Sequence, residues 1–141
     1  MPIVRQQTQV LWASTSNTDI TTASANTSDV ITLSSNCISA WITLKADNQG
    51  TPASGDTVDY YLLWSSGDPD ANTDISDEYD TINHAPRIAR LDTFSTDGGE
   101  NPALVTSEIN VGPQKVKLYA YNNSGGRTIR VSAQIEEMLF N

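Results

Sequence analysis

Residues 115–137 read KVKLYAYNNSGGRTIRVSAQIEE, two runs of alternating apolar and polar side chains on either side of a short cluster of Asn and Gly. In an extended chain successive side chains point to opposite faces. Val116, Leu118 and Ala120 therefore share one face before the turn, and Ile129, Val131, Ala133 and Ile135 share one after it. Lys117, Tyr119, Tyr121, Arg130, Ser132, Gln134 and Glu136 take the other face. Gly125 and Gly126 adopt positive φ without a Cβ clash, and Asn122 and Asn123 tolerate it better than most residues, so the spacing predicts a β-hairpin with one buried face.

Working outward from this pair, the same signal recurs at Thr8 to Ala13, Val30 to Leu33, Cys37 to Ala46, Val58 to Ser65, Arg87 to Ser95 and Ala103 to Val111, which gives about eight strands. Asp47-Asn48-Gln49-Gly50, Ser54-Gly55-Asp56, Gly67-Asp68-Pro69, Asp97-Gly98-Gly99 and Gly112-Pro113 separate them, each a turn former or a strand breaker. In Ala40 to Ala46 the apolar residues share a face opposite Trp41, Thr43 and Lys45. Tyr60, Leu62 and Trp64 alternate with Tyr61 and Leu63, which reads as a strand buried on both sides. Regularly spaced short strands with no long amphipathic helix predict an all-β antiparallel sandwich of jelly-roll or similar Greek-key type. Residues 14–29, STSNTDITTASANTSD, are almost wholly small and polar, with Ile20 their only large apolar side chain. Such a segment buries too little surface to fold alone. Residues 1–28 therefore read as an extended N-terminal arm carrying one short strand, with Val10, Leu11 and Trp12 as its anchors, and residues 29–141 as the sandwich; the polar stretch reads equally as a long loop on the sandwich surface.

At 141 residues the chain is the size of one ordinary domain that needs no metal or disulfide to hold its core. Seventeen acidic residues against eight basic ones give a formal charge of −9, which repels phosphate backbones and anionic lipid, so neither nucleic acid nor membrane is expected as a partner. Cys37 is alone, which excludes an intrachain disulfide, and its place in an apolar-alternating run makes it a small core residue. The start, MPIVRQQTQVLWAS, lacks the apolar core and cleavage site of a secretory signal, so synthesis and folding in cytoplasm are expected, and the sequons at Asn26 and Asn122 read as chance matches.

Few constellations carry chemistry. In DPDANTDISDEYD, Asp68, Asp70, Asn72 and Asp74 alternate as calcium ligands do, but Thr73 stands where an EF-hand needs glycine and Tyr79 where it needs the closing glutamate, so the loop is at most a weak calcium candidate of another kind. No catalytic residue is assigned: the single histidine, His84, is far in sequence from Cys37, the acidic residues fall mostly in turns, and Glu136 and Glu137 point to opposite faces of a strand. Neither glycine pair has the strand-to-helix setting or the lysine of a phosphate loop. The chain is read as no enzyme and as needing no cofactor. Its aromatic residues, Trp12, Trp41, Trp64, Tyr60, Tyr61, Tyr119 and Tyr121, offer either core packing or a flat sugar-stacking platform. Tyr119 and Tyr121 share the polar face of the final pair of strands, where they cover the sheet or meet another subunit.

The uncleaved start, the Ser/Thr-rich arm, the lone cysteine, the acidic strand-rich body and the ending KLYAYNNSGGRTIRVSAQIEEM together resemble small virion proteins of tailed bacteriophages, most of all capsid decoration, or cement, proteins. What this resemblance implies is a structural protein on the capsid exterior. It would assemble with its own copies, most simply as a homotrimer, bind the major capsid protein and cross-link capsomers against internal pressure, with Val10, Leu11, Trp12, Tyr119 and Tyr121 as interface residues. Two alternatives accompany it: a head-to-tail connector, tail or fibre component, and a carbohydrate-binding β-sandwich module.

Overall fold

The computed structural model describes residues 2–64, 85–94, 103–110 and 115–140, and these form ten β-strands and no helix. The strands are β1 (Ile3–Gln9), β2 (Thr18–Ile20), β3 (Ala25–Thr27), β4 (Ile31–Thr32), β5 (Cys37–Asn48), β6 (Thr57–Trp64), β7 (Arg87–Asp92), β8 (Ala103–Ile109), β9 (Lys115–Asn122) and β10 (Ile129–Phe140). One sheet has the order β1-β10-β5-β8, with β2 also on β10. The other has the order β3-β9-β6-β7, with β4 also on β9. The first half of the chain thus pairs with the second half read backwards: β1 with β10, β3 with β9, β5 with β8 and β6 with β7, all antiparallel. A long antiparallel ribbon wrapped into two layers in this way is a jelly roll.

The alternation seen in the sequence is the alternation of the core. Val116, Leu118 and Ala120 on β9 and Ile129, Val131, Ala133 and Ile135 on β10 are all buried, and they meet Ala40, Ile42, Leu44 and Ala46 of β5 and Val58, Tyr60 and Leu62 of β6 in one cluster. On β6 the opposite face is partly closed as well, because Asp59 and Leu63 are buried there beside the half-buried Tyr61.

Three expectations are corrected. First, β9 and β10 are not a hairpin. They lie in different sheets, so the chain crosses from one layer to the other between them and their apolar faces meet across the core. Alternation assigns each residue a face and leaves the hydrogen-bonding partner open, because a hairpin and an inter-sheet arch produce the same pattern. Only Gly126 of the turn has positive φ, at 102°. Asn122 sets the arch: fully buried, its side-chain amide donates to the carbonyls of Ile20 and Arg127 at 2.7 and 2.8 Å, and its Oδ1 accepts from the Ser124 amide at 2.7 Å.

Second, residues 10–28 are woven into the sandwich. Val10, Trp12 and Ile20 lie in the core, β2 pairs with β10, and β3 pairs with β9. Backbone pairing, which polar side chains do not prevent, orders a segment too polar to fold alone. Third, the early strand is Ile3–Gln9, and Trp12 to Thr15 is a tight turn. Ala13 and Ser14 sit there at φ 47° and 67°, left-handed conformations costly for residues with a Cβ. The Asp29 carboxylate accepts their two amides at 3.0 and 2.9 Å, which holds the turn closed without glycine.

Candidate functional site

Sheet pairing brings three tyrosines together on the outer face of the second sheet. Tyr61 on β6 stands directly opposite Tyr119 on β9, and Tyr121 follows two residues along the same strand, opposite Asp59. The Tyr61 and Tyr119 rings have centroids 5.9 Å apart and planes inclined at 71°, so they form a corner. Beside it, Asp59 is only 5 % exposed. Its carboxylate accepts from Arg90 Nε and Nη2 at 2.6 and 2.9 Å and from Asn123 Nδ2 at 2.9 Å, with Arg87 Nη1 at 3.6 Å. Burial raises the Asp59 pKa, but the Arg90 and Asn123 hydrogen bonds and the two guanidinium charges outweigh it and hold the carboxyl below its ordinary value. Burial, with Tyr121 and Tyr61 close by, raises the Tyr119 phenol. Asp59, Tyr61, Tyr119, Tyr121 and Asn123 line an open depression of about 310 Å³.

The aromatic residues expected to act as one flat platform are divided. Trp12 and Tyr60 are core residues, Trp64 packs against the core, and Trp41 lies on the outer face of the other sheet beside Thr43 and Glu136. The sequence placed Tyr119 and Tyr121 outward, as found. Of the platform candidates only Tyr61 joins them, and sequence reasoning missed Asp59, Arg87, Arg90 and Asn123 as their companions, because which strands adjoin β9 is a long-range fact. An aspartate inside the strand run VDYYLLW was the available signal.

A second surface lies at one end of the first sheet. All seven residues of β1 are exposed. The Val10 amide donates to Ala133 O, so with Val10 opposite Ala133, alternation of the ladder turns the backbone N–H and C=O groups of Arg5, Gln7 and Gln9 away from β10. At its N-terminal end Ile3 lies opposite Phe140 and Val4 opposite Leu139. Ile38 is the bulged residue of β5 across from Met138 and Leu139. Ile3, Val4, Ile38 and Phe140 are all exposed. Of the arm residues named as anchors, only Leu11 is exposed; Val10 and Trp12 face inward, each 2 % exposed, and hold the segment to its own core.

Cys37 is half-buried against that core. Burial, and then hydrogen bonding to Glu137, pushes its thiol up to about 11, which leaves it protonated and unreactive at neutral pH. Among the described residues no group of His, Cys, Asp and Glu could hold a metal ion. The calcium candidates Asp68, Asp70, Asn72 and Asp74, and His84, lie outside the described residues.

The fold is an all-β jelly-roll sandwich, with an aromatic and polar patch on one sheet and an exposed edge strand with an apolar end on the other. No known family profile matches the chain, and no curated protein matches it in sequence. Among solved structures it is similar to the C-terminal CBM6 of LamC, a marine laminarinase from Zobellia galactanivorans, at 14 % identity and a TM-score of 0.52 over 92 % of this chain and 98 % of that one. This likeness shows the sandwich fold. A GH115 4-O-methyl-α-glucuronidase matches at 10 % identity and TM-score 0.42 over 91 % of this chain and 16 % of the other. A chain of infectious bursal disease virus, Gt strain, matches at 10 % identity and 0.28 over 97 % and 41 %. Neither score is high enough to bear on the fold.

Proposed function

We propose that this protein is a structural virion component that decorates and stabilises a bacteriophage capsid, attaching to the major capsid protein from outside and working in many copies. The observation that carries the reading is the edge strand β1: seven residues, all exposed, with outward backbone groups and an apolar end formed by Ile3, Val4, Phe140 and Ile38. A long edge without proline, lysine or bulge is a template for pairing, and soluble proteins that stay alone normally blunt it. An edge that adds a strand to a lattice neighbour gains directional backbone bonds, while the apolar end gains burial. Small contributions per copy then multiply over a lattice. The resemblance of the chain's ending to decoration proteins supports the same assignment, and the net charge of −9 suits a protein that meets protein and not DNA.

The test is attachment. Purified protein mixed with heads that lack it should co-sediment saturably, at a copy number of the order of the capsid lattice. Gln7→Pro removes an outward donor while leaving the β1–β10 ladder intact, and combined with Ile3→Asp it should abolish attachment without lowering the cooperativity of unfolding. Saturation at one small ring's worth of copies would point to a neck or tail role instead. Failure of the unaltered protein to bind any head would remove the proposal.

A further inference from the structure

We infer that the tyrosine corner on β6 and β9 is a saccharide-binding site that takes one neutral pyranose ring; the inference goes beyond the shell-binding role and does not depend on it. A pyranose has an apolar C–H face and a rim of hydroxyls, so it needs an aromatic surface on one side and short, fixed hydrogen-bonding groups at the edge. The corner supplies both. Tyr61 and Tyr119, inclined at 71°, meet edge to face, and Tyr121 extends the aromatic surface along β9. All three side chains stay half-exposed on this face, and no hydrogen bond joins their hydroxyls to another described residue.

The polar rim is fixed before any ligand arrives. Two Arg90 nitrogens and Asn123 Nδ2 donate to the Asp59 carboxylate and the Arg87 guanidinium pairs with it at 3.6 Å, so Asp59 serves to orient its neighbours. What remains for a ligand is the Asn123 amide oxygen and second N–H, the unused N–H groups of the half-exposed Arg87, and three phenol hydroxyls. Rigid donors and acceptors of this kind add hydrogen bonds at little entropic cost. The depression of about 310 Å³ lies at the lower end of ligand-site volumes, which suits one sugar ring better than a larger ligand. A neutral sugar also fits the charges. Asp59 offsets one of its two arginines locally, and the chain's net charge of −9 disfavours an anionic glycan at longer range.

Isothermal titration of the full chain with neutral β- and α-linked glucose, galactose and mannose oligosaccharides tests this. Binding by at least one of them is expected. Tyr119→Ala and Tyr121→Ala should each weaken it at least about tenfold, equivalent to ~1.4 kcal/mol. Tyr119→Phe, which keeps the ring, should lose far less, and Trp41→Ala on the opposite sheet should change nothing. Thermal unfolding of each variant shows that it is folded. No binding across the panel, or binding unaffected by the two alanine variants, overturns the inference. So does a result in which these variants abolish attachment to heads and no sugar binds, which would make the corner a protein contact. Attachment of the unaltered protein to heads is scored separately, so failure here leaves the shell-binding proposal standing.

Discussion

Single buried polar residues hold one end of this sandwich together, and Asp56 shows how. Its carboxylate, 1 % exposed, accepts from the Ala53 amide at 3.0 Å, the Gly125 amide at 3.2 Å, Asn48 Nδ2 at 3.3 Å and Arg127, and so ties the loop before β6 to the β9–β10 turn. Thr93 closes the knot, donating to Asp56 O at 2.9 Å and accepting from Asn48 at 3.1 Å. Burial alone would raise the Asp56 pKa, but the amide hydrogen bonds, Arg127 and Asn48 outweigh it and hold the group below its ordinary value. Asp59 is displaced the same way. A carboxyl with a lower pKa in the folded than in the unfolded state stabilises the fold fully above the unfolded value, near ~4, and loses that contribution as pH falls through the folded value. Thermal unfolding followed from pH 7 downward should therefore show the melting temperature falling steeply below about pH 4. Asp56→Asn should melt lower at pH 7 and fall less steeply in acid. Equal slopes for the two proteins would show that Asp56 is not a source of the acid limb.

The element that decided the fold was read correctly in its faces and wrongly in its partner. Val116 to Tyr121 and Ile129 to Glu136 lie on the sides that alternation assigned, yet β9 and β10 belong to opposite sheets. The distinction rests on Asn122, whose fully buried amide joins β2, the turn and β9 in a way that a two-stranded hairpin in one sheet would not need. In sequence Asn122 is one more turn-former in NNSGG; its role follows from contacts 102 residues apart. Replacing it with Ala leaves the Ile20 carbonyl and the Ser124 amide without this partner, while the Arg127 carbonyl keeps the Ser124 hydroxyl at 2.7 Å. At roughly 1–3 kcal/mol per group, partly relieved by relaxation, a loss of about 2–4 kcal/mol is expected in urea unfolding. A change under about 0.5 kcal/mol, the scale of ordinary surface substitutions, would mean that the arch is held by its strands alone. The same limit explains the tyrosine corner. Outward placement of Tyr119 and Tyr121 is a local property and was legible, whereas Tyr61, Asp59 and Arg90 join them only through the β6–β9 and β6–β7 ladders.

At the scale of the molecule, pairing the first half of the chain with the reversed second half makes the N-terminal residues part of the body. A break in burial falls within them, near residue 9. Residues 3–9 form the exposed edge strand, while Val10, Trp12 and Ile20 are in the core and β2 and β3 extend both sheets. Loss of a buried Trp alone typically costs 3–5 kcal/mol against a total of roughly 5–15 kcal/mol for a domain. A chain lacking residues 1–8 should still unfold cooperatively, at a somewhat lower temperature, because its losses are one edge ladder and partial cover over Ile135 and Leu139. A chain lacking residues 1–28 loses Trp12, Val10 and Ile20 together with the Asn122–Ile20 bond, and should not fold. Circular dichroism melts of the two truncations decide between this layout and a dispensable 28-residue arm: a sharp transition in the longer truncation would return the whole N-terminal segment to the role of a tether. If only the shorter truncation folds, shell attachment can be tested on it directly, because β1 is then separable from the body that carries the tyrosine corner.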